Sequence, residues 1–150
     1  MRVVHRPATS DDNAFVISNW LHGIRDSRDA GAIPSRDFFP IMWPVIGRLL
    51  ERPGVRTIVA CEAREPSLVY GFIAGDTTGP QPVVHYVYVK GPFRRAGYAR
   101  GLFRALGVDP ERPFRYGFRT FWCHDLATKI PAGRWDPSVA RNESLTRRTT

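Results

Sequence analysis

The chain has 150 residues, 43% of them hydrophobic, with 22 Lys and Arg against 14 Asp and Glu for a net charge of +8. That length and apolar content fit one domain over residues 1–150 with a buried core, and exclude a disordered chain. No apolar run approaches the ~20 residues that span a bilayer, and the N-terminus lacks the apolar core of a signal peptide, so a non-membrane, cytoplasmic protein is expected.

The two cysteines, Cys61 and Cys123, fall in separate strand-like runs and match no metal spacing; reduced thiols and no metal site are expected. The basic residues are spread along the chain with no run of five. They read either as an ordinary basic surface or as attraction to a polyanion such as nucleic acid or the phosphates of a nucleotide.

In chain order, Arg2 to Pro7 reads as a short strand stopped by proline. Thr9, Ser10 and Asp11 offer helix caps, and Ala14, Ile17, Leu21 and Ile24 then share one helical face, with Trp20 beside them as a core residue. Arg25 to Asp37 is a charged loop. Phe38 to Leu50 has helical spacing interrupted by Pro40 and Pro44, which predicts one turn ending near Trp43 and a helix restarting at Pro44. Arg56 to Ala63 and Leu68 to Ala74 read as an antiparallel hairpin joined by the polar turn Arg64-Glu65-Pro66-Ser67. Gly75 to Pro82 is a turn-rich connection.

Val83, His85, Val87 and Val89 alternate along the next strand, with Tyr86 and Tyr88 on the other face. Gly91-Pro92 breaks it. Arg94-Arg95-Ala96-Gly97-Tyr98-Ala99 follows, then a helix with Leu102, Phe103 and Leu106 on one face. A short basic loop between strand and helix can bring backbone close to a ligand at its glycine, and the N–H groups and dipole of a helix start suit a phosphate. After a loop at Gly107 to Pro113, Phe114 to His124 reads as an aromatic strand. Periodicity fades from Asp125, and residues 141–150 are expected to be mobile. Trp135 in this polar tail either anchors it over the sheet or lines a pocket.

The segment Val87-Tyr88-Val89, Lys90-Gly91-Pro92, Phe93, Arg94-Arg95-Ala96-Gly97-Tyr98-Ala99 resembles motif A of the GNAT superfamily of acyl-CoA-dependent N-acyltransferases, written (Gln/Arg)-x-x-Gly-x-(Gly/Ala). Without that resemblance it reads as an ordinary strand–turn–helix connection. The order strand, two helices, three strands, helix, strand is similar to the GNAT core over roughly residues 2–125. The resemblance implies an α/β fold with a mixed, largely antiparallel sheet flanked by helices, here with a shortened or irregular C-terminal part. It also implies transfer of an acyl group from acetyl-CoA, or another acyl-CoA, to an amine. Backbone from Arg94, Arg95, Ala96, Gly97, Tyr98 and Ala99 would cradle the pyrophosphate, and backbone near Val87 and Val89 would meet pantetheine. The thioester would lie in a splay near Val89 and Trp122, and the loop at Arg25 to Asp37 would wall the acceptor site.

An attacking amine must lose a proton, so a base is expected within reach. His85, four residues before Val89, is one candidate, with an unperturbed pKa of ~6.5; it reads equally as a structural histidine. His124 and Asp125 end the aromatic strand and are the alternatives, with Glu62 and Asp76 as further rivals at strand ends. No helix carries the tyrosine that the family often places near the CoA sulfur, and no final hairpin is evident. Two further readings keep the fold: Mom-like modification of a nucleobase amine in DNA, and a binding or structural module without catalysis.

Overall fold

The computed structural model describes residues 2–26, 33–93, 97–118 and 130–140. Six strands among them form one sheet whose spatial order is the chain order. β1 (Val3–Pro7), β2 (Val55–Glu62), β3 (Val69–Asp76) and β4 (Val83–Val89) pair antiparallel in succession. β5 (Phe114–Tyr116) joins β4 in parallel, and β6 (Gly133–Trp135) joins β5 in parallel. This is the mixed, largely antiparallel α/β sheet expected. None of the described helices is long and apolar enough to cross a membrane.

Alternation along β2 divides the core. Val59 and Cys61 point to a cluster with helices α1 (Asn13–Arg25) and α2 (Ser35–Leu50), while Ile58 and Ala60 join a cluster under α3 (Tyr98–Leu106) on the other face. α1 buries Val16, Ile17, Trp20, Leu21 and Ile24; Ala14, expected on that face, is exposed because Val16 takes its place in the stripe. Its start is held by a capping box on a preceding turn of 3-10 helix. Thr9 N–H donates to Asp12 at 2.8 Å, and Arg6 reaches the same carboxylate at 2.7 Å from β1.

α2 corrects the expectation of a break at Trp43. The helix runs unbroken through Pro40 and Pro44. Both prolines are exposed while Phe38, Ile46 and Leu49 are buried on the opposite face. The carbonyls deprived of a helical donor therefore lie toward water, and packing of the apolar face outweighs the lost bonds.

The aromatic strand expected over 114–124 is a strand only to Tyr116; Gly117 and Phe118 follow without strand pairing, and 119–129 lie outside the described residues. A Cβ on Gly117 would stand 2.9 Å from Val139, so the C-terminal segment crosses the chain there. That segment supplies β6, which carries Trp135, 39% exposed. Arg52, just after α2, ties it down by donating to the carbonyls of Val139 at 3.0 Å and Ala140 at 2.6 Å. The expected mobile tail, 141–150, lies outside the described residues.

Candidate functional site

β4 is the central strand, and its C-terminal end leads into the basic loop. The ladder to β3 extends past the strand through Lys90 N–H to the Tyr70 carbonyl at 2.8 Å. A single turn of 3-10 helix over Gly91–Phe93 follows, closed by Phe93 N–H to the Lys90 carbonyl at 2.9 Å. Aromatic contacts fix it: the Phe93 ring lies 4.3 Å from Tyr70 and meets Tyr98 edge-on at 5.9 Å. Tyr98 is therefore a packing residue within the loop.

Gly97 caps α3 in the left-handed conformation, φ +83°, and its carbonyl accepts the first helical bond from Gly101 at 3.1 Å. Only glycine takes this conformation without strain. Among the described residues, a Cβ at Gly97 would meet no atom within 4 Å beside the helix start. The N–H groups of Tyr98 and Ala99 lie in the first turn, where no intrahelical acceptor is available. Leu102, Phe103 and Leu106 lock α3 onto Val84, Val87 and Val89, with Tyr98 and Ala99 packed against the same cluster. Four of the residues singled out in the sequence, Val87, Val89, Tyr98 and Ala99, are thus brought together, with Gly97 at the corner. Arg94, Arg95 and Ala96 lie outside the described residues, as do His124 and Asp125.

His85 sits at an irregularity of the β3–β4 ladder. Ala74 pairs with Tyr86 and Gly75 with Val84, so the register passes over His85 at a bulge. Val84 accordingly packs under α3 together with Val87 and Val89, which simple alternation forbids. Tyr86 packs on the other side, stacked on Trp20 at 5.2 Å. Alternation is interrupted between Val84 and Tyr86, so parity counted from Val83 does not carry through to Val89.

His85 is 3% exposed, and its Nδ1 is buried with no hydrogen-bond partner among the described residues. Burial, with a smaller contribution from the positive charge of Arg52 and partial opposition from the Asp76 carboxylate, lowers its pKa to about 4. The ring is neutral at neutral pH. The rival carboxylates hold structure: Glu62 accepts from the Tyr70 hydroxyl at 3.1 Å and from Arg2 N–H at 3.3 Å, while Asp76 accepts from Thr78 N–H at 2.8 Å.

β4 and β5 are paired at Val83 and Val84 alone among the described residues, so the described ladder stops before Val87 and Val89. β4 and α3 flank the motif on either side, with Gly97 at the start of the helix.

The sequence matches no protein-family model, and no curated protein matches it significantly. Solved structures do. YycN of Bacillus subtilis, a candidate acetyltransferase, has a TM-score of 0.58 at 16% identity, covering 86% of this chain and 88% of that one. A GNAT-family acetyltransferase candidate from Staphylococcus aureus has a TM-score of 0.53 at 16% identity, covering 88% and 97%. The fold is that of the GNAT acetyltransferases. The ribosomal-protein-alanine N-acetyltransferase of Brucella melitensis biovar Abortus is similar across 95% of this chain and 87% of its own, with a TM-score of 0.51 at 14% identity.

Within the GNAT fold, two features here were not read from the sequence. The bulge at His85 is hidden because Val83-Val84-His85 offers apolar residues on either phase. Its signal lies on the neighbouring strand: Gly75 of β3, opposite the bulge, has no room for a Cβ, which would stand 2.5 Å from the Val83 carbonyl. The second is β6, too short and too polar to show a period.

Proposed function

We propose that this chain is an N-acyltransferase that takes an acyl group, most simply acetyl, from acyl-CoA and delivers it to an amine. The observation that carries this reading is Gly97, left-handed at the corner between the central strand and α3, with no atom of the described residues within 4 Å of where a Cβ would be. Such a corner suits a phosphate approached by backbone N–H groups. The GNAT-like fold and the motif from Arg94 to Ala99 support the same reading.

In this scheme the backbone of Arg94, Arg95, Ala96, Gly97, Tyr98 and Ala99 holds the pyrophosphate, and Arg94 and Arg95 add positive charge. Backbone near Val87 and Val89 orients the pantetheine arm. The acyl-CoA supplies an activated thioester. The amine nitrogen attacks the thioester carbonyl carbon, the carbon–sulfur bond breaks, and the sulfur leaves as the CoA thiolate, which takes up a proton. The amine gives up a proton in the same sequence. His124 and Asp125 are the candidates for proton acceptor, His85 being buried in the central strand, neutral and weakly basic.

Calorimetric titration with acetyl-CoA tests the reading. The native chain should bind, and Gly97→Val should lose binding while its far-UV circular dichroism is retained. Unchanged affinity in that variant would overturn the phosphate-loop assignment. CoA release in the presence of polyamine, peptide and DNA acceptors then identifies the amine.

A further inference from the structure

A cleft of about 560 Å³ opens between α1, α2 and the start of β2. It is remote from the Gly97 corner. Val55 pairs with Asp76 and Asp76 with Val83, so the cleft lies at the end of the sheet where β4 begins. The Gly97 corner follows the other end of β4, about 20 Å away along a seven-residue strand.

Two independent observations mark this cleft. The first is Gly47. It lies within α2, where glycine weakens a helix, yet a Cβ there would meet none of the described residues within 4 Å. No packing demand and no left-handed backbone explains it. Its effect is to keep the cleft open between Trp43 and Glu51, one helical turn to either side. The second is the set of polar groups around the opening. Glu51, Ser10, Asn13 and Thr57 line it, and their side chains make no hydrogen bond or ion pair among the described residues. Glu51 is the one charged group in the lining. Ile17, Leu50 and Val55 give an apolar wall, and Trp43 is 38% exposed at the rim.

We infer that this cleft binds an aliphatic primary ammonium ion. Its three N–H donors can be shared between the Glu51 carboxylate and the neighbouring Ser10, Thr57 and Asn13 oxygens. The indole face favours a cation, and the apolar wall takes a hydrocarbon chain. A neutral ligand would gain no ion pair with the exposed Glu51 carboxylate, and an anion would be repelled by it.

The test is a nuclear magnetic resonance titration of the intact chain with hexylammonium and with its neutral counterpart, hexanol. Hexylammonium should shift the Trp43 indole N–H and the Thr57 amide saturably, and hexanol should bind about tenfold or more weaker. The chain carries +8, so general attraction of cations cannot supply the binding. Glu51→Gln should weaken hexylammonium about tenfold with the fold intact, and Gly47→Leu, which fills the cleft, should abolish it. Equal affinity for hexanol, unchanged affinity in Glu51→Gln, or retained binding in Gly47→Leu would each overturn the inference. Acetyl-CoA affinity, measured on the same variants, should not move; a native chain that fails to bind acetyl-CoA would sink the proposed acyl transfer and leave this cleft untouched.

Discussion

Gly75 and Leu106 meet where α3 crosses the sheet: a Cβ on Gly75 would stand 2.9 Å from the Leu106 side chain and 2.5 Å from the Val83 carbonyl. The helix lies this close because β3 offers it no side chain at that point. Arg56 reinforces the approach by donating to the Leu106 carbonyl at the helix end. Gly75→Ala should therefore cost about 1–3 kcal/mol, as overpacking does in rigid interiors. Urea unfolding measures it; a loss below about 0.5 kcal/mol would mean that α3 shifts freely on the sheet.

The Arg6–Asp12 pair joins β1 to the start of α1. The hydrogen bond from Arg6 holds the Asp12 carboxyl below the usual carboxylate range, against the opposing effect of burial and with help from Thr9 N–H. A depressed folded pKa gives stability that is present above the unfolded value of ~3.9 and is lost as pH falls through the folded pKa. Asp12→Asn should lose about 1–3 kcal/mol at pH 7, in the range for charged hydrogen bonds. The deficit should shrink toward pH 2. Chemical denaturation at both pH values decides it, and an equal deficit at both would remove the ionic contribution.

His85 titrates in the opposite sense for a histidine that gains a partner. Its folded pKa of about 4 lies below the ordinary ~6.5, so the unfolded chain binds the extra proton between those values. Stability is full above pH 6.5 and falls as pH drops toward 4, by up to about 3 kcal/mol. His85→Leu should flatten that window in a pH series of thermal unfolding. Once an acceptor is known, a rate step near pH 6–7 should persist in His85→Gln. Disappearance of the step would make His85 the base despite its burial.

Pro44 tests the continuity of α2. The helix already accommodates it on the exposed face, so Pro44→Ala restores a backbone donor without moving the core. Removing the proline should raise stability by about 1 kcal/mol, the gain in helix propensity being offset by greater freedom of the unfolded chain. A destabilised variant would show that the ring itself packs on a neighbour.

The elements with a clean period were legible in the sequence. β4 and α3 were read at their observed positions because valines alternate up to Val89 and Leu102, Phe103 and Leu106 repeat at helical spacing. Gly97 was legible as a corner because a glycine between a strand and a helix has few other uses. The bulge at His85 was not, since no local pattern announces one inserted residue. Pro40 and Pro44 misled because propensity is local, whereas the helix is held by Phe38, Ile46 and Leu49 packing across the sheet. The Trp43–Glu51 cleft could not be seen at all: Gly47 acquires meaning only when the space beside it is known to be empty.

The spatial order of the sheet, identical to the order of synthesis, bears on how the chain comes into being at the ribosome. Each strand adds to an existing edge, and none has to insert between two already formed. The first four strands and both helices of one face can assemble as they emerge, before β5 and β6 exist. The closing step is different in kind, since Arg52 must find the carbonyls of Val139 and Ala140, 87 and 88 residues later. A nascent chain stalled before Val139 should therefore hold a meander with an unprotected outer edge, the interval in which a chaperone has most to shield.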